Sequence, residues 1–554
     1  MTTPETGFSL LDEPWIVALE ASGREIELSI LDVLDQADDL VTLGGEVPTQ
    51  GFAITRLLLA FLHRAVDGPD DADDWAGLWN APGLPTDAIR SYAERFRHRF
   101  DLFDSTAPFF QVPDLRKARD EVSSLAKIVA DVPNGELLFT TRSARSLQSM
   151  TPAEAARWLI HAHAYDTAGI KSGVVGGPKT GARSFGSVPG WSGQIGGILV
   201  QGRTLRETLL LNLVARDFAS IGGPDDLPPW ERDIDSARYD EAGLPTGAIA
   251  LYTWQTRRIR LHGDRDGVTG VVLAKGDMIE PQNLHAFDPH TAWRHDAPQS
   301  KKLGQVTYMP RTHAPQRCLW QGLAALLPSL SARAGAAQGP APYLAPVVLQ
   351  WVADLGRQGH LVGDFAIRTR GIGVSYGSKN ATIAEIVDDT LTLAVALLSM
   401  VDPALGQLAI AAVEDAERIA ASVAHLADDI AQAAGSAPRS GAGDRYREQF
   451  YSDVDAAYRR WLAQLGPATD RMAARTEWQS TILRAVRPVA ADIVSCAGPA
   501  AWVGRRLHGK FVNVACAEAR FGRQVRQLLP LALQARPPIQ PPHDKLGQVQ
   551  ETTA

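Results

Sequence analysis

Apolar residues recur along the chain at spacings that predict a mixed α+β fold. Trp15–Leu19 and Glu25–Ile30 are short strand-like runs on either side of a turn at Ala21–Arg24. Helical spacing is predicted in Ile30–Ala37, Phe52–Val66, Thr86–Phe100, Thr151–Ala164 and Leu205–Val214. Strand-like pieces are predicted at Ala248–Gln255, Arg257–Leu261 and Gly270–Ala274. The first two thirds of the chain are therefore expected to form a large mixed domain.

The pattern changes near Thr382 and is predicted to be helical as far as Leu533. Four stretches stand out: Ile383–Met400, Leu405–Ala434, Arg445–Leu465 and Arg475–Ala497. A fifth stretch, Ala500–Leu533, is either an additional helix or, if the third helix is interrupted, the last helix of the bundle. Alanine-rich helices joined by short breaks are typical of an up-and-down four-helix bundle. We therefore predict a mixed domain at 1–381, a helical bundle at 382–535 and a disordered Pro-rich tail at 536–554.

One segment has an unusual composition. Between Ala168 and Gly202 the chain carries eleven glycines. Each glycine costs roughly 0.5–1 kcal/mol of chain entropy in regular structure, but glycine allows the backbone to come close to a partner. The segment is therefore a candidate contact loop.

Charge is unevenly distributed along the chain. The net charge of −8 argues against nucleic-acid binding when it is taken alone. Residues 383–435 carry nine acidic side chains and one basic, whereas residues 436–536 carry sixteen basic and eight acidic. A locally basic surface can still attract a phosphate backbone, so the late helices are a candidate nucleic-acid surface.

Other features predict a soluble cytoplasmic protein without a metal or cofactor. The first 30 residues lack the continuous apolar stretch of a signal peptide, and no apolar run approaches the ~18 residues of a membrane span. The three cysteines include no CxxC pair, which fits a reducing compartment and predicts no zinc site.

Two enzyme-like motifs are weak. Gly373–Gly377 matches the GxSxG nucleophile elbow around Ser375, but the chain lacks the alternating strand–helix pattern of an α/β-hydrolase. Ala168–Ser172 and Gly177–Thr180 resemble fragments of a phosphate-binding loop, but neither has glycine immediately before its lysine. We expect that the chain is not an enzyme, and a serine hydrolase using Ser375 stays an alternative.

Four motifs occur in order along the chain: Phe8-Ser-Leu-Leu-Asp-Glu-Pro-Trp-Ile16, Thr106-Ala-Pro-Phe-Phe-Gln111, Lys171-Ser-Gly173 with the glycines that follow, and Gly202–Leu213. Together they resemble the CasA family, the large subunit of the type I-E CRISPR complex Cascade. The resemblance extends over essentially the whole chain. It implies a subunit that recognises the PAM in double-stranded DNA, opens the adjacent base pairs and supports docking of a helicase–nuclease. The implied partners are the other Cascade subunits, the crRNA 5′ handle, the target duplex and its displaced strand.

The resemblance also implies site residues. The family's glycine loop corresponds to Ala168, Gly169, Ile170, Lys171, Ser172 and Gly173, and a reader without bulky side chains suits a minor groove only ~6 Å wide. The family's wedge corresponds to Tyr376–Thr382, with Lys379 and Asn380 at its tip. Asn380 stands where some relatives have glutamine.

Three further assignments follow from the resemblance and the charge pattern. The PAM-contacting lysine finger corresponds to Lys275. The loop that contacts the crRNA handle and neighbouring subunits corresponds to Phe139, Thr140, Thr141 and Arg142. Arg505, Arg506 and Lys510, which cluster within two turns of a predicted helix, are candidates for holding the displaced strand. A nucleic-acid-binding scaffold of another defence complex, contacting its ligand through the bundle, stays an alternative.

Overall fold

The computed structural model describes residues 7–132, 140, 142–143, 146–177, 186–240, 242–331, 339–437, 440–507 and 509–534. The predicted tail at 536–554 lies outside these residues. The helices are α1 Ile30–Asp35, α2 Pro48–Val66, α3 Ala72–Asn80, α4 Thr86–Phe96, α5 Pro152–Tyr165, α6 Leu205–Leu211, α7 Ala248–Tyr252, α8 Ala297–Leu303, α9 Pro328–Ser331, α10 Val347–Gln358, α11 Ala404–Ala434, α12 Asp444–Ala463, α13 Arg471–Ser495, α14 Pro499–Val503, α15 Val514–Leu528 and α16 Pro530–Gln534.

The strands are short, apart from four longer ones in the middle of the chain. They are β1 Ile16–Glu20, β2 Glu25–Leu28, β3 Leu40–Leu43, β4 Gly169–Ile170, β5 Gly186–Ser187, β6 Gly197–Gln201, β7 Arg257–Asp264, β8 Gly267–Lys275, β9 Trp293–His295, β10 Tyr308–Pro310, β11 Tyr343–Leu344, β12 Ala366–Tyr376, β13 Ile383–Ala394, β14 Arg505–Leu507 and β15 Lys510–Val512. The predicted mixture of helix and sheet is confirmed.

The chain divides into two compact units. The first comprises Met1–Gln407 and Leu462–Pro467, and the second comprises Leu408–Trp461 and Ala468–Ala554. We predicted that the bundle starts at residue 382, but the hairpin of β12 and β13 occupies that position and the next α-helix begins at Ala404. The predicted count of four bundle helices stays a prediction.

The long helix α2 lies at the centre of the first unit. Pro48 occupies its first turn, and its C-cap Asp67 has left-handed backbone, both of which are common at helix ends. Its residues from Thr49 to His63 are all buried. A helix that is buried on every side belongs in the interior of a domain, so the helix predicted at Phe52–Val66 is a central element of this unit.

A buried ion pair connects α2 to the glycine-rich segment. The Arg56 guanidinium donates two hydrogen bonds, 3.3 and 3.0 Å long, to the Asp288 carboxylate, and both side chains are fully buried. Trp191 Nε1 donates a third, 2.6 Å long, to the same carboxylate. A buried pair is costly to break, so these bonds fix where the glycine-rich segment crosses the core.

Two predictions of local structure in this unit were wrong. Ile383–Met400 was predicted to be a helix, but Ile383–Ala394 is β13, paired antiparallel with β12. Leu391 and Leu393 of this strand are buried, and this alternation was obscured by the alanine- and leucine-rich sequence around it. Ala248–Gln255 was predicted to be a strand, but Ala248–Tyr252 is α7. A short apolar run cannot be assigned to helix or strand by periodicity alone.

The second unit is built around aromatic side chains on its long helices. Tyr458 and Trp478 are fully buried and lie edge-to-face with ring centroids 5.2 Å apart. Trp478 Nε1 donates to the Ala412 carbonyl at 2.8 Å, and the Arg475 guanidinium makes two hydrogen bonds to Asp415, 2.8 and 2.9 Å long. These contacts join α11, α12 and α13.

The end of the second unit differs from the predicted helix Ala500–Leu533. A short helix, α14, ends at Val503, and the chain then forms the antiparallel hairpin β14–β15 before α15 begins at Val514. Gly504 has a φ of 72°, a backbone conformation that favours glycine and ends the helix. Arg505, Arg506 and Lys510 therefore lie on a β-hairpin, and their assignment to a helix was wrong.

Buried histidines make the stability of the first unit depend on pH. Burial lowers the pKa of His63 to about 4 and that of His161, His163 and His290 to about 3. An unfolded histidine binds a proton near pH 6.5. Below that pH the unfolded state therefore takes up protons that the folded state refuses, until the folded pKa is reached. As the pH falls through this range, each histidine lowers the free energy of unfolding by up to about 1.4 kcal/mol per pH unit.

We expect His161→Gln to weaken this pH dependence. Glutamine stays neutral at every pH and can keep a hydrogen bond to Thr49 Oγ1, which lies 2.9 Å from His161 Nε2. Urea denaturation between pH 6.5 and 5 should give a mean slope smaller by about 1.1 kcal/mol per pH unit than that of the unaltered chain. His98→Gln, at an exposed position, should keep the original slope. A slope unchanged by His161→Gln would contradict this account.

Candidate nucleic-acid interface

The predicted glycine loop, residues 168–173, begins where α5 ends. Its residues Gly169 and Ile170 form β4, which pairs with β5, and Ser187 Oγ donates a 3.2 Å hydrogen bond to the Gly169 carbonyl. At the other end of the loop, Ser172 N donates to the Leu273 carbonyl of β8 at 3.2 Å. The loop is thus held at both ends by backbone hydrogen bonds.

One side of the loop is open to solvent. Gly169 has a φ of 128°, and a Cβ at this position would have no neighbouring atom within 4 Å. The side chain of Ile170 is 73% exposed, and Gly173 is also exposed. The backbone conformation of Gly169 is one that L side chains rarely adopt, so glycine is required there. Its open side can be approached closely by a ligand.

An ion-pair cluster anchors the base of the loop. The Asp166 carboxylate lies 2.7 Å from Lys171 Nζ and also accepts a hydrogen bond from Arg257 Nε. Arg257 is fully buried and donates to the carbonyls of Asp166, Thr167 and Val188 at 3.2, 2.9 and 2.8 Å. Sequence reasoning missed Arg257 and Asp166, because nothing in their spacing shows that they meet.

The two cations of this cluster stabilise the charged form of Asp166. Burial alone would raise the pKa of Asp166, but the charges of Arg257 and Lys171 and their hydrogen bonds hold it below the usual value. One carboxylate therefore faces two cations, which leaves a net charge of about +1 under the loop. Lys171 itself is almost buried and turned towards Asp166, so in this conformation it anchors the loop.

We expect Lys171→Met to affect stability more than DNA binding. The change removes one charged hydrogen bond, and Arg257 remains beside Asp166, so the free energy of unfolding should fall by about 1.5 kcal/mol. The slope of log affinity for duplex DNA against log salt should stay unchanged. If Lys171 instead contacted a phosphate, the magnitude of that slope would fall by about 0.9, and the anchoring role would be excluded.

The predicted wedge is a tight turn between β12 and β13. Gly377 N donates to the Thr382 carbonyl at 2.9 Å, and Asn380 N donates to the Gly377 carbonyl at 3.0 Å. Lys379 and Asn380 have φ values of 57° and 55°, and both are exposed. Asparagine tolerates left-handed backbone, but for lysine it costs about 1–2 kcal/mol. Strain of this kind often occurs at functional sites.

The structure brings the loop and the turn together. Ala168 N donates a 2.8 Å hydrogen bond to the Asn380 carbonyl. Just behind the turn, the Tyr376 hydroxyl donates to the Tyr165 carbonyl at the end of α5, also at 2.8 Å. β12, which leads into the turn, also pairs with β6 at the end of the glycine-rich segment. Two segments about 200 residues apart therefore form one surface.

Most of the other described glycines in this segment serve packing. A Cβ at Gly190 would overlap with the Ala164 carbonyl, and a Cβ at Gly193 would overlap with the Tyr376 hydroxyl. A Cβ at Gly197 would lie 2.6 Å from the Phe52 ring. The high glycine content is therefore explained in large part by close packing around the sheet, whereas a Cβ at Gly169 would meet open space.

Neither Lys275 nor the described RNA-contact residues extend freely into solvent. Lys275 is only 4% exposed, and its ammonium lies 4.6 Å from the centroid of the Tyr239 ring. Its role as a DNA-contacting finger stays a prediction, and it requires the side chain to leave this position. Phe139 and Thr141 lie outside the described residues. Thr140 Oγ1 donates to Asp131 at 3.2 Å, and Arg142 pairs with Glu154 at 2.6 Å.

The alternatives based on catalysis find no support in this geometry. Ser375 lies inside β12, directly opposite Glu385 of β13, whereas a nucleophile elbow requires a sharp turn between a strand and a helix. Among the described residues, no three His, Cys, Asp or Glu side chains form a group that could hold a metal ion. In the same part of the chain, no helix has the length and apolar composition to cross a membrane.

Comparisons with known proteins place the chain among CRISPR-associated proteins. Residues 9–489 match the family model described as CRISPR-associated protein Cse1 (CRISPR_cse1). Because this match covers most of the chain, the protein belongs to the Cse1 family, which confirms the resemblance found in the sequence.

Individual relatives agree with this assignment. The chain is 29% identical over 481 residues to CRISPR-associated protein CasA/Cse1 of Thermus thermophilus, covering 83% of this chain and 87% of the relative. The crystal structure of Thermobifida fusca Cse1 matches with a TM-score of 0.87 and 45% identity, covering 96% of this chain and 100% of that one. A chain of a solved CRISPR RNA-guided surveillance complex shares the fold with a TM-score of 0.70 at 18% identity, covering 94% and 99%.

Proposed function

We propose that this chain is the non-catalytic large subunit of a crRNA-guided type I-E complex. In this role it recognises the PAM in double-stranded DNA, starts duplex opening and R-loop formation, and supports recruitment of a helicase–nuclease. Membership of the Cse1 family supports the role, and a chain of an RNA-guided surveillance complex has the same fold. Sequence specificity beyond the PAM then comes from pairing with the guide RNA.

The observation that carries the proposal is the hydrogen bond between Ala168 N and the Asn380 carbonyl. It joins an exposed loop with open backbone to an exposed polar turn. A PAM reader that also starts unwinding needs both parts side by side, because the base pairs to be opened are adjacent to the motif. The rigid link means that placing the loop on the DNA also places the turn.

The chemistry of the loop suits a minor groove. The groove is only about 6 Å wide, and the open side of Gly169 allows backbone to enter it. The cluster of Arg257, Lys171 and Asp166 beneath the loop holds this backbone in place, and none of its side chains needs to extend towards a base. Recognition by backbone groups would depend on groove shape and on the few donors and acceptors exposed there.

The chemistry of the turn suits insertion beside the first target base pair. The amide of Asn380 can hydrogen-bond with base edges, and the Lys379 ammonium can contact a phosphate. Both side chains are exposed at the tip of a hairpin whose strand β12 is also paired with β6. The turn therefore does not need to be ordered when DNA arrives, which reduces the entropic cost of insertion.

Reconstitution with and without this chain tests the proposal. The complex should be assembled on its crRNA and offered a pool of duplexes with one target and randomised flanking positions. We expect a clear flanking-motif preference with the full assembly and none when this chain is left out. If the chain were a scaffold binding through its bundle, its omission would lower affinity for all flanks equally, and the proposal would fail.

A further inference from the structure

Exposed apolar side chains in the second unit are concentrated at one place. In the described part of this unit, four large hydrophobic side chains are exposed: Met472, Trp502, Val503 and Phe511. Three of them lie within ten residues of one another, and Trp502 and Phe511 are each about half exposed, at 50% and 51%. Exposed aromatic residues that cluster in this way mark a binding surface.

The same segment is basic. Residues 499–513 include Arg505, Arg506 and Lys510 and contain no aspartate or glutamate. In the hairpin, Arg506 is directly opposite Phe511, and side chains opposite each other share one face of a sheet, with Cβ atoms about 4.5–5.5 Å apart. A cation and an aromatic ring are therefore neighbours on one exposed face.

Arg505 lies on the other face of the hairpin. Successive residues of a strand face opposite sides, so Arg505 points away from the face of Arg506 and Phe511. Its Nε lies 3.4 Å from the Ala433 carbonyl near the end of α11. This contact orients the hairpin: the Arg505 side lies towards its own unit, and Arg506 and Phe511 face outwards.

The hairpin, α14 and α15 are joined rigidly. Ala501 is fully buried next to the exposed Trp502. A Cβ at Gly504 would overlap with the Val512 carbonyl and with Asn513, so helix and hairpin are in direct contact. The Asn513 side chain accepts a hydrogen bond from Cys516 N at 2.9 Å and caps α15. The two rings are therefore presented by supported backbone.

We propose that this surface, which we call the aromatic hairpin (Trp502, Arg506 and Phe511), binds unpaired nucleic acid by stacking bases on its two rings. Arg506 contacts a phosphate beside the base that stacks on Phe511. Lys510, which is exposed on the opposite face of the hairpin, adds positive charge that attracts the strand. Aromatic rings alternating with cations are typical of sequence-independent single-strand binding. The proposal rests on the proposed function, because duplex opening supplies an unpaired strand, and it adds that the strand is held through its bases.

The test uses the full chain and a fluorescein-labelled thymidine 20-mer without a PAM, together with the same oligomer made abasic. Each stacked base contributes about 1–3 kcal/mol, so Trp502→Ala and Phe511→Ala should each weaken binding of the thymidine oligomer by about 5- to 160-fold. Neither change should affect the abasic oligomer. Phe511→Tyr should restore binding. Met472→Ala, which removes the fourth exposed hydrophobic side chain of the unit, is the matched control and should change nothing.

Three outcomes would overturn the proposal: no measurable binding by the unaltered chain, equal losses on thymidine and abasic oligomers, or intact single-strand binding with impaired assembly of the complex. The last would identify the hairpin as a protein-docking surface. PAM-dependent duplex binding, measured separately, depends on the loop and turn of the first unit. A failure of the aromatic hairpin can therefore be distinguished from a failure of the proposed function.

Discussion

Gly169→Asp is expected to lower the affinity of the assembled complex for a PAM-containing duplex on the order of 1,000-fold, about 4 kcal/mol. The acidic side chain would stand on the open side of the loop, where we propose that the minor groove approaches, and would face the negative potential of the DNA. The loss should be measurable by titrating labelled duplex, while assembly with the crRNA stays intact.

Gly169→Ala separates charge from backbone strain. A Cβ at this position meets no atom within 4 Å, but the φ of 128° is strained for any L residue. Alanine should therefore cause a smaller loss than aspartate. If the aspartate variant bound the duplex as tightly as the unaltered chain, the loop would not enter the groove.

Replacing Lys379 and Asn380 together is expected to slow R-loop formation on an intact duplex on the order of 100-fold. Opening a base-pair step costs about 1.4 kcal/mol on average, and we expect the turn to offset about two such steps. The best variant is Lys379→Gly with Asn380→Gly, because glycine keeps the left-handed backbone of both positions while removing the side chains. Alanine would remove the side chains too, but it would add backbone strain at both left-handed positions.

The matched substrate is a target that is mismatched beside the PAM and therefore already open. On this target the glycine variant should form R-loops nearly as fast as the unaltered chain, because the cost of unstacking has been removed. An ordinary structural turn would give equal losses on both targets, since poor folding or assembly does not depend on the substrate. Equal losses would therefore remove the wedge from the account.

The sequence predicts well those elements that are specified by neighbouring residues, such as a helix cap or a regular spacing of apolar side chains. Thr151 caps α5 at the predicted position, with Pro152 in the first turn, and the first hairpin has the predicted strands. β13 could not be predicted in the same way, because its pairing with β12 is a tertiary interaction and its composition favours a helix. The aromatic hairpin was missed because the strands on either side of its turn have only three residues each.

The candidate site was predicted in its parts but not in its connections. The positions of the loop and the turn came from the resemblance, and the structure adds that Ala168 and Asn380 share a hydrogen bond. The roles of Asp166 and Arg257 could not be predicted, because they are 91 residues apart in the chain. Lys171, which the resemblance places in the DNA-contacting loop, pairs with Asp166, a contact that neither the glycine composition nor the net charge reveals.

The most direct test of the central claim follows base-pair opening before any pairing with the guide. The target duplex carries 2-aminopurine at the first position beside the PAM, and the complex carries a crRNA that does not match the target. We expect fluorescence to rise with the unaltered chain and a PAM, and to stay low without a PAM or with the Lys379→Gly, Asn380→Gly variant. An equal rise with that variant, or the same rise without a PAM, would contradict the claim that the joined loop and turn recognise the motif and open the duplex.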